Sequence, residues 1–187
     1  MGYTLLSIDP GFTSFGYAIS TIEPGGHMVL RRIGVEHPTA EADRAARKEM
    51  VQTLGRPVVQ MIVLREMLQR IIQLDKIHFY ACEDAFYNPR RPSAFKSLVT
   101  VLTVLDMAVY DLAGKQVTKI PPSIAKKAVF QASANKNDVK EAVLRHPDID
   151  WTAIAKDNDV NAYTDHTYDS IAIGYAFAQA HKTTLCF

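Results

Sequence analysis

Three short apolar segments, separated by turns that contain Pro and Gly, open the chain and predict β-strands. The segments are Tyr3–Ile8, Phe15–Thr21 and His27–Val35. Tight turns such as Glu23-Pro24-Gly25-Gly26 join strands that run in opposite directions. The first part of the chain is therefore predicted to form a three-stranded antiparallel meander.

The rest of the chain alternates between helix and strand patterns. A polar helix is predicted over Ala40–Leu54, and apolar residues at helical spacing predict a second helix over Val58–Leu74. The later predicted elements are a strand over Ile77–Cys82, a helix over Ala94–Leu112 capped by Ser93, a strand over Gln116–Ile120, and helices over 121–131, over 138–145 and from His166 onward. Because helices separate the later strands, those strands pair in parallel, and the predicted fold is α/β with a five-stranded mixed sheet flanked by helices.

The predicted helix over Ala94–Leu112 is apolar nearly all the way round. A helix of this kind is buried on more than one side. A subunit interface is one way to cover the second side.

Length and composition are those of an ordinary globular protein. The 187 residues, 48% hydrophobic and 22% charged, fit one domain over residues 1–187. The chain begins with a strand rather than a basic leader, and no continuous apolar run approaches about 18 residues, so a cytoplasmic protein outside the membrane is expected. Cys82, in a buried strand, and Cys186, near the C-terminus, are expected to be reduced thiols without a catalytic role.

The formal net charge of +1 is weak support for nucleic-acid binding by itself. Its distribution is more informative, because basic residues concentrate in the centre of the chain and acidic residues follow them. The basic residues are Arg90, Arg91, Lys115, Lys119, Lys126, Lys127, Lys136 and Lys140. A basic face beside an acidic metal pocket would give this pattern.

Acidic residues stand where two predicted strands end. Asp9 follows the first strand and Glu83 follows the fourth, so parallel pairing of these strands would direct both carboxylates into one crevice. Taken alone, Asp9-Pro10-Gly11 is also a common turn. Two carboxylates that close would not both ionise unless a divalent cation lay between them.

A third acidic group opens the last helix. His166 and Asp169 are one helical turn apart and face the same way. Asp165 is interpreted first as the N-cap of this helix, with metal ligation as the alternative. Asp9, Glu83, His166 and Asp169 are therefore the predicted catalytic and metal-binding residues.

Such a constellation is suited to metal-dependent phosphodiester cleavage. Two cations about 3.5–4 Å apart can activate water and stabilise the leaving oxygen, so that no Ser or Cys nucleophile is needed. Mg²⁺ is the expected ion, with two ions in each site and Mn²⁺ tolerated. His166 either ligates a metal or steers the attacking water.

Residues around these acids predict contacts with DNA. Phe86 lies in a loop rich in Pro and charge, where an exposed aromatic ring could stack on unpaired bases, or alternatively fold into the core. The other predicted DNA-binding residues are Arg90, Arg91, Lys126, Lys127 and Lys136. For the lysines, the alternative is a solvated helix face.

Several motifs together resemble the RuvC-type Holliday junction resolvases. They are Ser7-Ile8-Asp9-Pro10-Gly11 with Gly16-Tyr17-Ala18, Glu83 with Phe86, Lys126-Lys127-Ala128-Val129 before Asn135-Lys136-Asn137-Asp138-Val139, and Asp169-Ser170-Ile171-Ala172-Ile173. The resemblance covers most of the chain. It implies an RNase H-like fold, a homodimer, and Mg²⁺-dependent paired nicking of four-way DNA junctions.

The resemblance also implies roles for individual residues. Asp9, Glu83 and Asp169 match the metal-binding acids, and His166 falls where the family has Asp or His. Phe86 matches the aromatic residue that stacks near the junction centre, and Lys126 and Lys136 fall near two functionally important lysines.

The chain also departs from the family pattern. A longer segment precedes Glu83, Ser97-Leu98-Val99-Thr100 replaces the Gly-containing start of the central helix, and the loop between the lysines, Gln131-Ala132-Ser133-Ala134, is one residue shorter and lacks glycine. These departures resemble the phage or viral branches of the family, for which the host cytoplasm is the expected location.

Other functions stay open at this point. The same fold and site would suit a nuclease acting on other branched DNA or on RNA–DNA hybrids, and a junction-binding module would bind without cutting. Asp9-Pro10-Gly11-Phe12-Thr13-Ser14 also suggests a sugar-kinase or actin-like ATPase, but such proteins duplicate this fold and 187 residues leave no room for the second half.

Overall fold

The computed structural model describes residues 2–87, 89–90, 92–155 and 159–182. Its strands are β1 (Tyr3–Asp9), β2 (Phe15–Ile22), β3 (Met28–Glu36), β4 (Phe79–Glu83), β5 (Val117–Ile120) and β6 (Ile149–Asp150). They form one sheet in the order β5-β4-β1-β2-β3-β6. The strands β1, β2 and β3 are antiparallel, whereas β4 is parallel to β1, β5 to β4 and β6 to β3.

Helices cover both faces of this sheet. They are α1 (Pro38–Ala42), α2 (Lys48–Leu54), α3 (Arg56–Leu74), α4 (Pro92–Ala113), α5 (Pro122–Val129), α6 (Lys136–Arg145), α7 (Thr152–Ala155) and α8 (Asp165–His181). Short 3-10 turns lie at Ala45–Arg47 and Val160–Ala162. One hydrophobic core packs α5, α6 and α8 on one face of the sheet, and a second core packs α3 and α4 on the other.

The last helix, α8, lies against the centre of the sheet and is buried along most of its length. At Gly174, an added Cβ would lie 2.7 Å from Ser7 Oγ on β1, so a larger residue would push the helix outward. This close packing places the first turn of α8 beside the carboxyl end of β1.

The structure confirms the predicted meander, the parallel pairing of the later strands and the mixed α/β sheet. The predicted number of five strands was wrong, because the two-residue strand β6 adds a sixth at the edge, pairing with Met28 and Val29. Two residues carry too little periodicity to be recognised as a strand from the sequence.

The single polar helix predicted over Ala40–Leu54 was wrong. The segment forms α1, a 3-10 turn and α2, and the chain is extended at Arg44 between them. Two ion pairs hold the segment against α3. Arg47 of the segment binds Glu66 of α3, and Asp43 of the segment binds Arg56 of α3. Such tertiary contacts override a weak helical pattern.

Two predicted caps also differ from the structure. Ser93 does not cap α4, because the helix already begins at Pro92, whose fixed φ suits a first turn. The helix α6 begins two residues before the predicted start, at Lys136. Asn135 caps it by accepting a hydrogen bond from the Asp138 amide at 3.1 Å, while the Asp138 carboxylate accepts one from the Asn135 amide at 2.9 Å.

The helix α4 has a buried face and an exposed apolar face. Its inner face packs in the core through Val101, Leu102, Leu105, Ala108 and Val109. Its outer face exposes Met107 and Tyr110, which are 60% and 69% accessible. By length and composition alone, a helix of this kind could also cross a membrane. Such length and composition are weak evidence for a membrane span, and the inner face of α4 packs in the core together with α3.

Cys82 is buried and forms no disulfide among the described residues. Burial raises the pKa of its thiol to about 12, so it stays protonated and unreactive at neutral pH. Cys186 lies outside the described residues.

Candidate active site

Asp9 and Glu83 lie at the same edge of the sheet. They are the last residues of the parallel neighbours β1 and β4, which are paired through Ile8 and Cys82. Asp9 is only 7% accessible, and its charge acts on the Glu83 carboxyl group. Parallel pairing therefore brings together two acids that are 74 positions apart.

The first turn of α8 adds the third acid and the histidine. The helix begins at Asp165, so His166 and Asp169 are one turn apart and face the sheet edge. His166 Nδ1 lies 2.6 Å from Asp9 Oδ2. Asp169 lines the same cavity as Glu83, and its charge acts on Glu83, so the three acids and His166 form one cluster.

Gly16 permits this approach. It pairs with Asp9 across β1 and β2, and an added Cβ would lie 2.0 Å from the backbone oxygen of His166. No side chain fits in that space. Glycine at this position therefore lets the helix bring His166 against Asp9.

A cleft of about 220 Å³ opens beside the acids. Glu83 and Asp169 line it together with Lys126 from α5 and Lys136 from α6. Its remaining lining residues are Pro122, Ala125, Ala172 and Ile173. The cleft thus sets two ammonium groups beside two carboxylates, a suitable arrangement for a phosphate group that is also coordinated by cations.

The acids hold protons more tightly than isolated carboxyl groups. Burial, the charges of Asp9 and Asp169, and the hydrogen bond with Asp9 raise the pKa of Glu83 to about 8, although Lys126 opposes the shift. Burial and the charge of Asp9 raise the pKa of Asp169 to about 6. The hydrogen bond to Asp9 raises the pKa of His166, although burial opposes it. Without a cation, the cluster therefore favours protonated forms.

These shifts predict a pH-dependent stability in the absence of divalent cations. Because the folded-state pKa values of Glu83 and Asp169 lie above their ordinary values of 4.5 and 3.8, their stabilising contribution is complete below those values and is lost as the pH rises through about 6 and about 8. In EDTA, the melting temperature is expected to fall over this window. Glu83→Gln should flatten the upper part of the fall, and an unchanged slope in that variant would contradict the assignment.

The donor set fits a divalent cation chemically. Three carboxylates on separate elements crowd together, and their mutual repulsion is what a hard cation with oxygen ligands relieves. Over residues 2–87, 89–90, 92–155 and 159–182, no three Asp, Glu, His or Cys side chains are already arranged as a metal-binding group. Binding of a cation would release the proton held by Glu83.

The structure places Asp165 differently from the prediction. It is the first residue of α8, and Thr164 occupies the N-cap position. Its carboxylate lies 3.3 Å from Lys136 Nζ instead. The preferred interpretation of Asp165 as the N-cap was therefore wrong.

Of the predicted DNA-binding residues, Lys126 and Lys136 line the cleft. Phe86 is 67% accessible, so it does not fold into the core. Lys126 donates to the Ala134 carbonyl oxygen at 2.8 Å while it lines the cleft, and Lys127 is exposed on the next position of α5. Arg90 is also exposed, whereas Arg91 lies outside the described residues.

The structural importance of Gly16 and the apolar wall of the cleft could not be predicted from the sequence. Gly16 was noted only as part of a family motif, since its contact with α8 joins segments 150 positions apart in the chain. Pro122 and Ala125 carry no chemical signal of their own. No pattern within one segment could have identified these residues.

The sheet and the helices that cover it form an RNase H-like α/β fold, and comparison with solved structures supports this fold. Thermus thermophilus RuvC in complex with a Holliday junction substrate superimposes with a TM-score of 0.71 at 16% identity, over 96% of this chain and 95% of that one. The yeast mitochondrial Holliday junction resolvase Ydc2 gives 0.63 at 15% identity, over 98% and 81%.

The fowlpox virus resolvase, solved with substrate Holliday junction DNA, gives a TM-score of 0.57 at 13% identity over 95% and 97% of the two chains. No family model and no curated protein sequence matches this chain. At these identities the structural likeness establishes the fold. It confirms the predicted resemblance to RuvC-type resolvases at that level.

Proposed function

We propose that the protein is a metal-dependent endonuclease that resolves four-way DNA junctions. The observation that carries the proposal is the meeting of Asp9, Glu83, His166 and Asp169 at one edge of a sheet with the RuvC-type fold. Two of the similar structures contain Holliday junction DNA. We propose a four-way junction as the substrate of this chain on the basis of that structural likeness.

In the proposed reaction, Asp9, Glu83 and Asp169 would hold two Mg²⁺ ions. Bound cations supply an activated water and stabilise charge on the leaving oxygen. The hydrogen bond at 2.6 Å from His166 orients the Asp9 carboxylate. Lys126 and Lys136 lie where they can bind phosphate oxygens that enter the cleft.

The test uses a labelled four-way junction, with the products mapped on every strand. Symmetric paired nicks that require wild-type protein and Mg²⁺ are the expected result. Flaps and RNA–DNA hybrids serve as competing substrates, and faster cleavage of either would replace the proposed substrate with that one. Binding that leaves the junction uncut with both Mg²⁺ and Mn²⁺ would overturn the proposal in favour of a junction-binding module.

The exposed ring of Phe86 is proposed to stack on a base at the junction. It follows Glu83 by three residues and is 67% accessible, so it projects from the loop that leaves the acidic edge. Because stacking contributes about 1–3 kcal/mol per base, Phe86→Ala is expected to weaken metal-free junction binding by about tenfold or more.

Leu74→Ala is the control for Phe86→Ala, because Leu74 is a 48% accessible apolar side chain at the end of α3. Binding is measured as a Kd for junction and for linear duplex of equal length. Equal loss of affinity for both DNA forms would contradict a stacking role at unpaired bases.

We also propose that the outer face of α4 forms a homodimer, as paired nicking of a symmetric junction requires two active sites. This face exposes Val99, Met107 and Tyr110 along one side of the helix. Met107→Glu would bury a charge in the interface and is expected to give monomers in sedimentation experiments at concentrations where the wild type is dimeric. Leu54→Glu, at an exposed apolar position on α2, should leave the dimer intact. A dimeric Met107→Glu variant would exclude this face.

A further inference from the structure

The loop that follows Asp9 is tied to the segment that joins β3 to α3. The Phe12 carbonyl oxygen accepts hydrogen bonds from both the backbone amide and the side-chain hydroxyl of Thr39, each at 2.9 Å. A ring nitrogen of His37 lies 3.4 Å from the carbonyl oxygen of Thr13. Thr39 therefore holds the loop three residues beyond the buried acid.

A second contact fixes Thr39 itself. Gln60 Nε2 on α3 donates to Thr39 Oγ1 at 2.9 Å, so the hydroxyl accepts from Gln60 and donates to Phe12. Pro38 and Ala42 of α1 are buried, which anchors the short helix around Thr39. The result is a continuous path from α3 through Thr39 to the loop beside Asp9.

Ion pairs hold the same segment against α3 from outside. Arg56 donates to Asp43 through Nε at 2.9 Å, and Arg47 donates to Glu66 at 2.6 Å. These pairs are partly exposed and contribute little stability each, but together they restrict where α1 can lie. The ion pairs thus restrict the position of the segment that carries Thr39.

We propose that Thr39 and Gln60 are positioning residues for the acidic edge: they fix the Pro10–Ser14 loop and thereby the direction of the Asp9 carboxylate. This inference rests on the proposed nuclease function. The loop leaves β1 directly after Asp9, and the added Cβ of an alanine at Gly11 would lie 2.5 Å from the Ser14 backbone oxygen, so the turn is tight. Movement at Phe12 is therefore transmitted to Asp9 over only three residues.

The test compares Thr39→Val, which keeps the shape of the side chain but removes the hydroxyl, with Thr39→Ser, which keeps the hydroxyl. Thr53→Val is the matched control, since the Thr53 hydroxyl donates to Glu49 within α2 of the same segment. Gln60→Leu removes the second contact independently. Each variant is measured for melting temperature, junction Kd without metal, and single-turnover cleavage at saturating protein.

Thr39→Val and Gln60→Leu are expected to slow single-turnover cleavage by about tenfold with little change in junction Kd. Thr39→Val removes both hydrogen bonds of the hydroxyl, to Phe12 and from Gln60, and Gln60→Leu removes the second of them. Thr39→Ser and Thr53→Val should stay within about twofold of wild type, the range left by small surface changes. Full cleavage by Thr39→Val, or an equal loss in Thr53→Val, would overturn the positioning role.

Amide hydrogen exchange separates this inference from the proposed function. Without DNA or metal, the peptide covering residues 9–15 should exchange faster in Thr39→Val and Gln60→Leu than in wild type and Thr53→Val. Unchanged exchange would show that the hydrogen bonds of Thr39 do not hold the loop. If wild-type protein leaves junctions uncut, the proposed function is wrong, and so is the predicted effect of Thr39 on cleavage. The exchange result would still show whether the hydrogen bonds of Thr39 hold the loop.

Discussion

Asp9→Asn is expected to reduce junction cleavage by about a thousandfold or more while junction binding persists. The reason is that Asp9 stands at the centre of the cluster, with His166 Nδ1 at 2.6 Å from its carboxylate and its charge acting on both Glu83 and Asp169. Loss of one carboxylate removes several kcal/mol of metal-assisted stabilisation of the transition state. Removal of a negative charge from a site that faces phosphate should leave DNA affinity equal or higher.

The measurement is single-turnover cleavage with Mg²⁺ and with Mn²⁺, alongside a metal-free binding titration. Asp75→Asn is the matched control, because this exposed acid follows α3 near the start of β4, at the opposite end of that strand from Glu83. Full cleavage by Asp9→Asn would remove the acidic edge from the mechanism. Loss of binding and cleavage together would indicate misfolding, which the melting temperature of the variant reveals.

Gly16→Ala is expected to impair both stability and cleavage, for a reason unrelated to charge. The new Cβ would lie 2.0 Å from the oxygen and 2.3 Å from the carbon of the His166 carbonyl group. These are backbone atoms of a buried helix, so the first turn of α8 must move away from β2. A forced shift of this kind is expected to cost about 3 kcal/mol or more of unfolding free energy.

The same shift would separate His166 and Asp169 from Asp9, so cleavage should fall even at temperatures where the variant is folded. Gly34→Ala is the control, because a Cβ there would meet the movable ring of Tyr17 at 2.8 Å rather than backbone. Urea unfolding and single-turnover cleavage are measured on both variants. A Gly16→Ala protein with wild-type stability and activity would refute the close approach of α8 to β2.

Local patterns were sufficient for most elements of the fold. The predicted meander and the strands β4 and β5 appear with ends shifted by one or two residues, because apolar runs bounded by Pro and Gly are strong signals within one segment. The prediction failed over 40–54. There, contacts with α3 determine the path of a chain whose own helical preference is weak.

In the candidate site, too, some residue roles could be predicted from the sequence and others could not. Asp9, Glu83 and Asp169 could be selected from the sequence because each acid stands at the end of a strand or the start of a helix, where side chains converge on one sheet edge. The role of Asp165 was predicted incorrectly. A cap and a surface ion pair look alike in sequence, and the choice depends on where Lys136 lies.

Residue types and their spacing along the chain were therefore enough to predict an α/β fold with a mixed sheet and to select the acids that the structure brings together. The contact of Gly16 with α8, the link from Gln60 through Thr39 to Phe12, and the sixth strand depended on packing. Each of these joins segments that are far apart in sequence. Their geometry follows from how closely helices and sheet pack, which is a property of the folded chain as a whole.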